Sequence, residues 1–531
     1  MKRSLLGIAL VAMMGCGGNK NTVAETGTNS APREIGDPVQ YANTINAQDL
    51  SKHLYIYASD EYAGRETGKP GQKKAVEYLK NYYVGLGVPA AKGNNDFIQK
   101  VPLEMMSVPN ASITSPNKNY KIGEDFATFS ASKNGKIDVT SITFVGYGIE
   151  DEKYSDYDDV DVDGKIVLIK AGEPKNDDGT YVITGSAETS SWSNIRQSFG
   201  NRIEIAKSKG AKGLLYYDAA NFPLVLQQFK FVSERAKNGG GQMSLKKDGE
   251  DFFYFFVNET MAKDIYADIE NTETSQQLQT KLSIDIANTT EEVSSENVVA
   301  FIEGVEKPNE YVVISAHLDH IGVSADGQIN NGADDDGSGT VSVLEIAEAF
   351  KKAAAEGNGP KRSVVFLHVT GEEKGLLGSE YYTDNPIFPL EDTVVNLNID
   401  MVGRTDPKRN GGPDYIYLIG SDKLSSELHS LSEDINTKYA NLELDYTYND
   451  ENDPNRFYYR SDHYNFAKNN VPIIFYFNGT HDDYHRPSDT PDKIEYELMV
   501  KRAKLIFHTA WEIANRDNRI VADKLDESTG N

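Results

Sequence analysis

From about Asn297 onward, apolar runs alternate with helical stretches. The runs are V-V-A-F-I (298–302), Y-V-V-I-S-A (311–316), S-V-V-F-L-H-V-T (363–370), V-V-N-L-N-I (394–399), Y-I-Y-L-I (415–419) and P-I-I-F-Y-F (472–477). They are rich in Val, Ile and aromatic residues. They lack the polar alternation of a strand with one wet face, so they predict strands buried on both sides. Helices are predicted at about 340–354, 424–439 and 494–515. This alternation predicts an α/β fold: a mostly parallel mixed sheet flanked by helices.

Two other stretches have different textures. Tyr41 to Gly87 is helical in pattern, interrupted by the turn D-E-Y-A-G-R-E-T-G-K-P-G (60–71). Residues 137–286 carry short strand-like runs (142–149, 165–170, 213–217, 252–257) and one helix, Ile195 to Lys209. They read as a smaller, β-rich inserted domain. The insert divides the main domain into 41–136 and 287–515, and 516–531 reads as a polar, frayed tail. Asp159, Asp161, Asp163 and Gly164 mimic the first half of a calcium loop. The position that needs a bidentate Glu is Lys170, which excludes that reading.

A chain of 531 residues is too long for one compact core. Its net charge of −27 excludes nucleic acid as a partner, because phosphate binding needs a basic face. Lys2 and Arg3 followed by the apolar stretch Leu5 to Met14 read as a signal peptide over 1–15. That stretch is too short to span a bilayer, which needs ~20 residues. Cys16 is the single cysteine, so the chain forms no intrachain disulfide. Residues 16–40 read as a flexible tether of Gly, Asn, Thr, Ser and Pro.

Five segments concentrate metal-binding side chains: A-H-L-D-H (316–320), G-A-D-D-D-G-S-G (332–339), T-G-E-E-K-G (370–375), N-I-D-M-V-G (398–403) and H-D-D-Y-H-R-P-S-D-T (481–490). Four of them follow or overlap the end of a predicted strand, where ligands bind in open α/β sheets. A set of His nitrogens and carboxylates suits zinc better than calcium or magnesium. The chain lacks H-E-x-x-H and G-x-S-x-G, and its one thiol sits at the signal junction, so other hydrolase types are disfavoured. Glu372 and Glu373 are adjacent and cannot point the same way in extended chain. One can bind metal while the other carries a proton.

M-M-G-C (13–16) resembles a bacterial lipobox. The resemblance implies cleavage before Cys16, lipidation of that residue and anchoring at a membrane surface of the cell envelope, facing the periplasm or in the outer membrane. The five segments resemble those of the co-catalytic di-zinc aminopeptidases, a family that includes bacterial leucyl aminopeptidases, aminopeptidase Y and glutamate carboxypeptidase II. G-R-E-T-G-K-P-G (64–71) is a further family-like signature, and the insert resembles a protease-associated domain. This resemblance implies two zinc ions per chain and peptide substrates. His317 and Asp400 would hold one ion, Glu373 and His485 the other, with Asp335 between them. Glu372 would be the general base and Tyr484 would steady the oxyanion. The Asp319 carboxylate would hydrogen-bond His317 and set its tautomer. The Asp335-Asp336 peptide is often cis in such proteins.

Other histidines lie close by. His481 competes with His485, and Y-H-x-P-x-D-T around His485 matches the family. His320 stays unassigned, His463 in S-D-H (461–463) reads as a supporting residue, and His368 as a strand residue. The expected activity is an aminopeptidase. Alternatives are a carboxypeptidase or dipeptidase, a one-zinc glutaminyl cyclase, and an inactive binding scaffold.

Overall fold

The six apolar runs are all strands of one nine-stranded sheet in a computed structural model of the chain. The structure describes residues 36–524 except 107–109, 130–132, 238–240, 247–250 and 289. Across the sheet the strands are Gln242–Leu245, Ile98–Met106, Thr290–Ile302, Arg362–Val369, Lys307–His317, Thr393–Ile399, Ile473–Phe477, Tyr415–Ile419 and Glu443–Asp445. The expected mixed α/β sheet is present. Its middle block, from Arg362–Val369 to Ile473–Phe477, is parallel, and the edge strand Glu443–Asp445 also runs parallel to Tyr415–Ile419. Antiparallel neighbours, Thr290–Ile302 and Tyr415–Ile419, flank that block.

Both faces of the middle strands are buried, as their unbroken apolar character requires. Val312, Ile314 and Ala316 point into a core built with the helices Ala47–Tyr57, Pro70–Leu86, Gly339–Ala355 and Tyr496–Asn515. Tyr311 and Val313 point to the other face, where Tyr382 and Phe466 cover them. The parallel strands therefore end together along one edge, and the five ligand-bearing segments lie in the loops there.

A second, eight-stranded sheet runs Lys118–Lys121, Ala111–Ser115, Gln276–Ile286, Gly135–Phe144, Ile166–Lys170, Gly213–Tyr217, Phe253–Val257 and Phe126–Ala127. The insert boundary expected at residue 137 thus moves back to about 111, because Ala111–Ala127 pairs here rather than in the large sheet. One segment goes the other way: Gln242–Leu245 pairs with Leu103–Met106 of the large sheet. The helix Phe222–Lys237 and the long strand Gln276–Ile286 were not among the elements expected from the sequence.

Residues 516–524 are better tied than a frayed tail. Ile520 is buried, and Arg519 donates to the carbonyls of Glu391 and Thr393. The helix Pro38–Ala42 starts inside the expected tether and buries Tyr41. The signal segment and Cys16 lie outside the described residues. No helix among the described residues is long and apolar enough to cross a membrane.

Candidate metal centre

His317 is the last residue of its strand, and its ring is held by a hydrogen bond between Nδ1 and the backbone carbonyl of Asp319 at 3.0 Å. That contact leaves Nε2 facing the cleft. It also corrects the role expected for Asp319. Its carboxylate is 3.9 Å from His317 Nδ1 and is engaged elsewhere. Oδ2 accepts from the Thr67 hydroxyl at 2.6 Å and Oδ1 from the Glu372 amide at 3.2 Å. Asp319 therefore positions the loop that carries Glu372, while a main-chain carbonyl holds the His317 ring.

The run Asp334-Asp335-Asp336 divides into three jobs. Asp336 accepts backbone hydrogen bonds from His317, Gly339 and Met401, so both its oxygens are used in joining strand ends. Asp334 accepts from Ser338, Gly403 and Asn478 and lies 3.1 Å from His481 Nε2. Asp335 alone turns both oxygens to the cleft. Oδ1 is 3.3 Å from His317 Nε2, and Oδ2 is 3.0 Å from His485 Nε2. A carboxylate between two imidazoles has the placement of a bridging ligand. The Asp335-Asp336 peptide is cis.

The remaining ligand positions complete two groups. Asp400 Oδ1 is 3.7 Å from His317 Nε2, while its Oδ2 accepts from the Ser461 hydroxyl. Glu373 Oε2 is 3.1 Å from His485 Nε2. All five ligands expected from the sequence therefore meet. His481 pairs with Asp334 instead of entering the cleft, whereas His485 faces Asp335 and Glu373. His463 bonds the Tyr458 carbonyl and stacks on Phe475, and His368 bonds the Tyr83 hydroxyl. All three are structural.

The donors fit divalent metal. Nε2 of His317, Oδ2 of Asp335 and Oε1 of Glu373 are buried without a hydrogen-bond partner. Leaving such atoms unsatisfied is costly, and a cation would satisfy them together. Asp336 also lies within ligand range of His317 and Asp400. Its oxygens are already occupied by three amides, so Asp335 is the better bridge.

Glu372 sits beside these groups with Oε2 4.0 Å from His317 Nε2. Burial, with Glu373, Asp400 and Asp462 as like charges, holds its carboxyl well above the usual carboxylate range against the pull of His317. Burial and Asp335 would raise Glu373 too, but contacts with His320 and His485 hold it at about 2. Two adjacent glutamates are thus driven apart, Glu372 toward its neutral form and Glu373 toward its charged form. Tyr484 stacks on His485 with ring centroids 3.9 Å apart and lines the cleft. Met401, Phe457, Phe475 and Phe477 form an apolar wall beside Glu372 and Asp400, with Arg460 and Thr480 at its polar positions.

Residues 297–510 match the model of Peptidase family M28. That stretch contains all five segments and most of the large sheet. A "Probable leucine aminopeptidase" of Trichophyton verrucosum is 30% identical over 229 residues, 42% of this chain and 57% of its own length. A "probable leucine aminopeptidase 2" of Aspergillus oryzae is 25% identical over 530 residues, 92% of this chain and 88% of its own. Among solved structures, an aminopeptidase from Aneurinibacillus sp. strain AM-1 aligns at a TM-score of 0.45 and 19% identity, covering 92% of this chain and 99% of that one. The chain spans somewhat over half the length of the first curated relatives it matches.

Proposed function

We propose that this protein is a zinc-dependent aminopeptidase that uses two metal ions. The observation that carries the reading is Asp335, whose two oxygens face His317 on one side and His485 on the other. Bound between these groups, zinc would activate a water and polarise the scissile carbonyl. Glu372 would accept a proton from the attacking water and pass it to the departing amine. The Asp319–Glu372 backbone bond fixes the base in place, and the Tyr484 phenol can donate to the carbonyl oxygen as charge builds there. The apolar wall of Met401, Phe457, Phe475 and Phe477 suits an apolar amino-terminal side chain, which agrees with relatives named leucine aminopeptidases.

The test is hydrolysis of aminoacyl chromogenic amides against the same peptides blocked at the amino terminus. Activity on free but not blocked substrates, lost with chelator and restored by zinc, supports the reading. Equal cleavage of blocked peptides overturns it. One observation favours a second reading, a dipeptidase or carboxypeptidase: Arg460 stands on the cleft wall, where it could meet a substrate carboxylate.

For the amino terminus we propose export and lipid attachment at Cys16. Labelling with a fatty acid, lost in Cys16→Ser, tests this. We read the smaller sheet as a protease-associated domain, on the runs noted in the sequence.

A further inference from the structure

His320 is the residue the mechanism leaves unused. It follows the ligand strand by three positions in A-H-L-D-H (316–320) and is completely buried. Its Nδ1 is 2.8 Å from Glu373 Oε1 and 3.7 Å from Asp335 Oδ2. The 2.8 Å contact is short but lacks the alignment of a hydrogen bond, so Nδ1 and Glu373 Oε1 both remain without a partner, as does Nε2. His317 Nε2 shows the same signature beside Asp335: a short contact with a carboxylate and no hydrogen bond.

The ring is also held rigidly. The His320 amide donates to the Arg65 carbonyl, and residue 320 bridges to Glu66. On the opposite side Gly332 packs on the imidazole so closely that a β-carbon there would come within 2.5 Å of Cδ2. His485 stands across the cluster, with ring centroids 5.7 Å apart at 72°. His320, Asp335 and Glu373 lie within common reach of one ion.

We propose that His320 is a further metal ligand, donating Nδ1 to the ion shared by Asp335, Glu373 and His485. This rests on the two-metal reading above. The two positions are then unequal. One ion has four protein donors, and the other has His317, Asp335 and Asp400 with room left for water and substrate. Closed coordination holds metal tightly, whereas a reacting ion needs an open position.

The test compares full-length wild type with His320→Ala and His320→Gln, loaded with zinc. Zinc per chain is followed through graded competition with a chelator, and X-ray absorption counts histidine ligands. Circular dichroism verifies that each variant is folded, and Gln keeps the side-chain bulk if Ala does not fold. Wild type is expected to show three histidines over two ions and the variants two. One ion should bind at least about tenfold more weakly in the variants, since even an outer partner of a metal ligand is worth that much. Two zincs held with wild-type affinity in both variants would overturn the assignment. So would weakened binding with two histidines counted in every protein, which would leave His320 only orienting Glu373. A wild type that binds no zinc would count against the two-metal reading itself.

Discussion

The Thr67 hydroxyl donates a 2.6 Å hydrogen bond to Asp319 Oδ2 across 252 residues of sequence. The signature G-R-E-T-G-K-P-G (64–71) thereby acquires a purpose. Arg65, fully buried, donates to the carbonyls of Asn331 and Gly332, just before the Asp335 loop. Lys374, beside the paired glutamates, reaches Glu66. Three consecutive residues of one turn thus brace three of the loops that carry the candidate ligands.

Thr67→Val removes the donor while keeping the side-chain shape, and leaves a buried carboxylate oxygen unpaired. The expected loss of stability is about 1–3 kcal/mol. Turnover should fall more than substrate affinity, because Asp319 also holds the Glu372 amide. Thr67→Ser should recover both. Urea melts and steady-state kinetics on the three proteins check this; full turnover in Thr67→Val would separate the turn from the base.

Glu372→Gln keeps the shape of the side chain but cannot accept the proton. Turnover should drop by at least about 10²-fold, the usual worth of a positioned acid–base group. Zinc content should be unchanged, since Glu373 and not Glu372 faces His485. Metal analysis beside the rate measurement decides whether the loss is chemical.

His481 and His485 stand four positions apart and should respond oppositely. His485→Ala should cost one zinc and nearly all activity. His481→Ala removes the partner of buried Asp334 and should lower stability by about 1–3 kcal/mol with both zincs retained. Metal stoichiometry and thermal melts of the two variants distinguish ligand from brace.

Burial holds the His368 imidazole down at about 3, against an ordinary value of 6.5. The unfolded chain therefore takes up a proton below about pH 6.5 that the folded chain refuses. The stability this group contributes is complete above pH 6.5 and drains away as the pH falls toward 3. His368→Gln keeps a polar partner for Tyr83 and has no such titration. Unfolding free energy measured from pH 7 to pH 4 should fall less steeply in the variant than in wild type.

The strands of the large sheet were legible because hydrophobic periodicity is local: a run such as 394–399 reports its own burial on both faces. The same logic placed His317, Glu372, Glu373, Asp400 and His485 near strand ends. It failed at residues 111–127, where short half-exposed strands belong to the smaller sheet, because pairing there is with residues far along the chain. It failed also at 516–524, whose anchoring depends on main-chain carbonyls that no side-chain pattern records.

Sequence alone determined the α/β architecture and the residue types available for metal and proton transfer, since both follow from the order of side chains. The family resemblance already pointed to Asp335 and His485, and folding shows how: Asp335 turns both oxygens to the cleft while His481 pairs with Asp334. The target of the Asp319 carboxylate and the placement of His320 beside Glu373 came from the folded chain alone. Those outcomes turn on side-chain direction at a few ångströms, and direction is set by contacts between segments that the chain brings together only on folding.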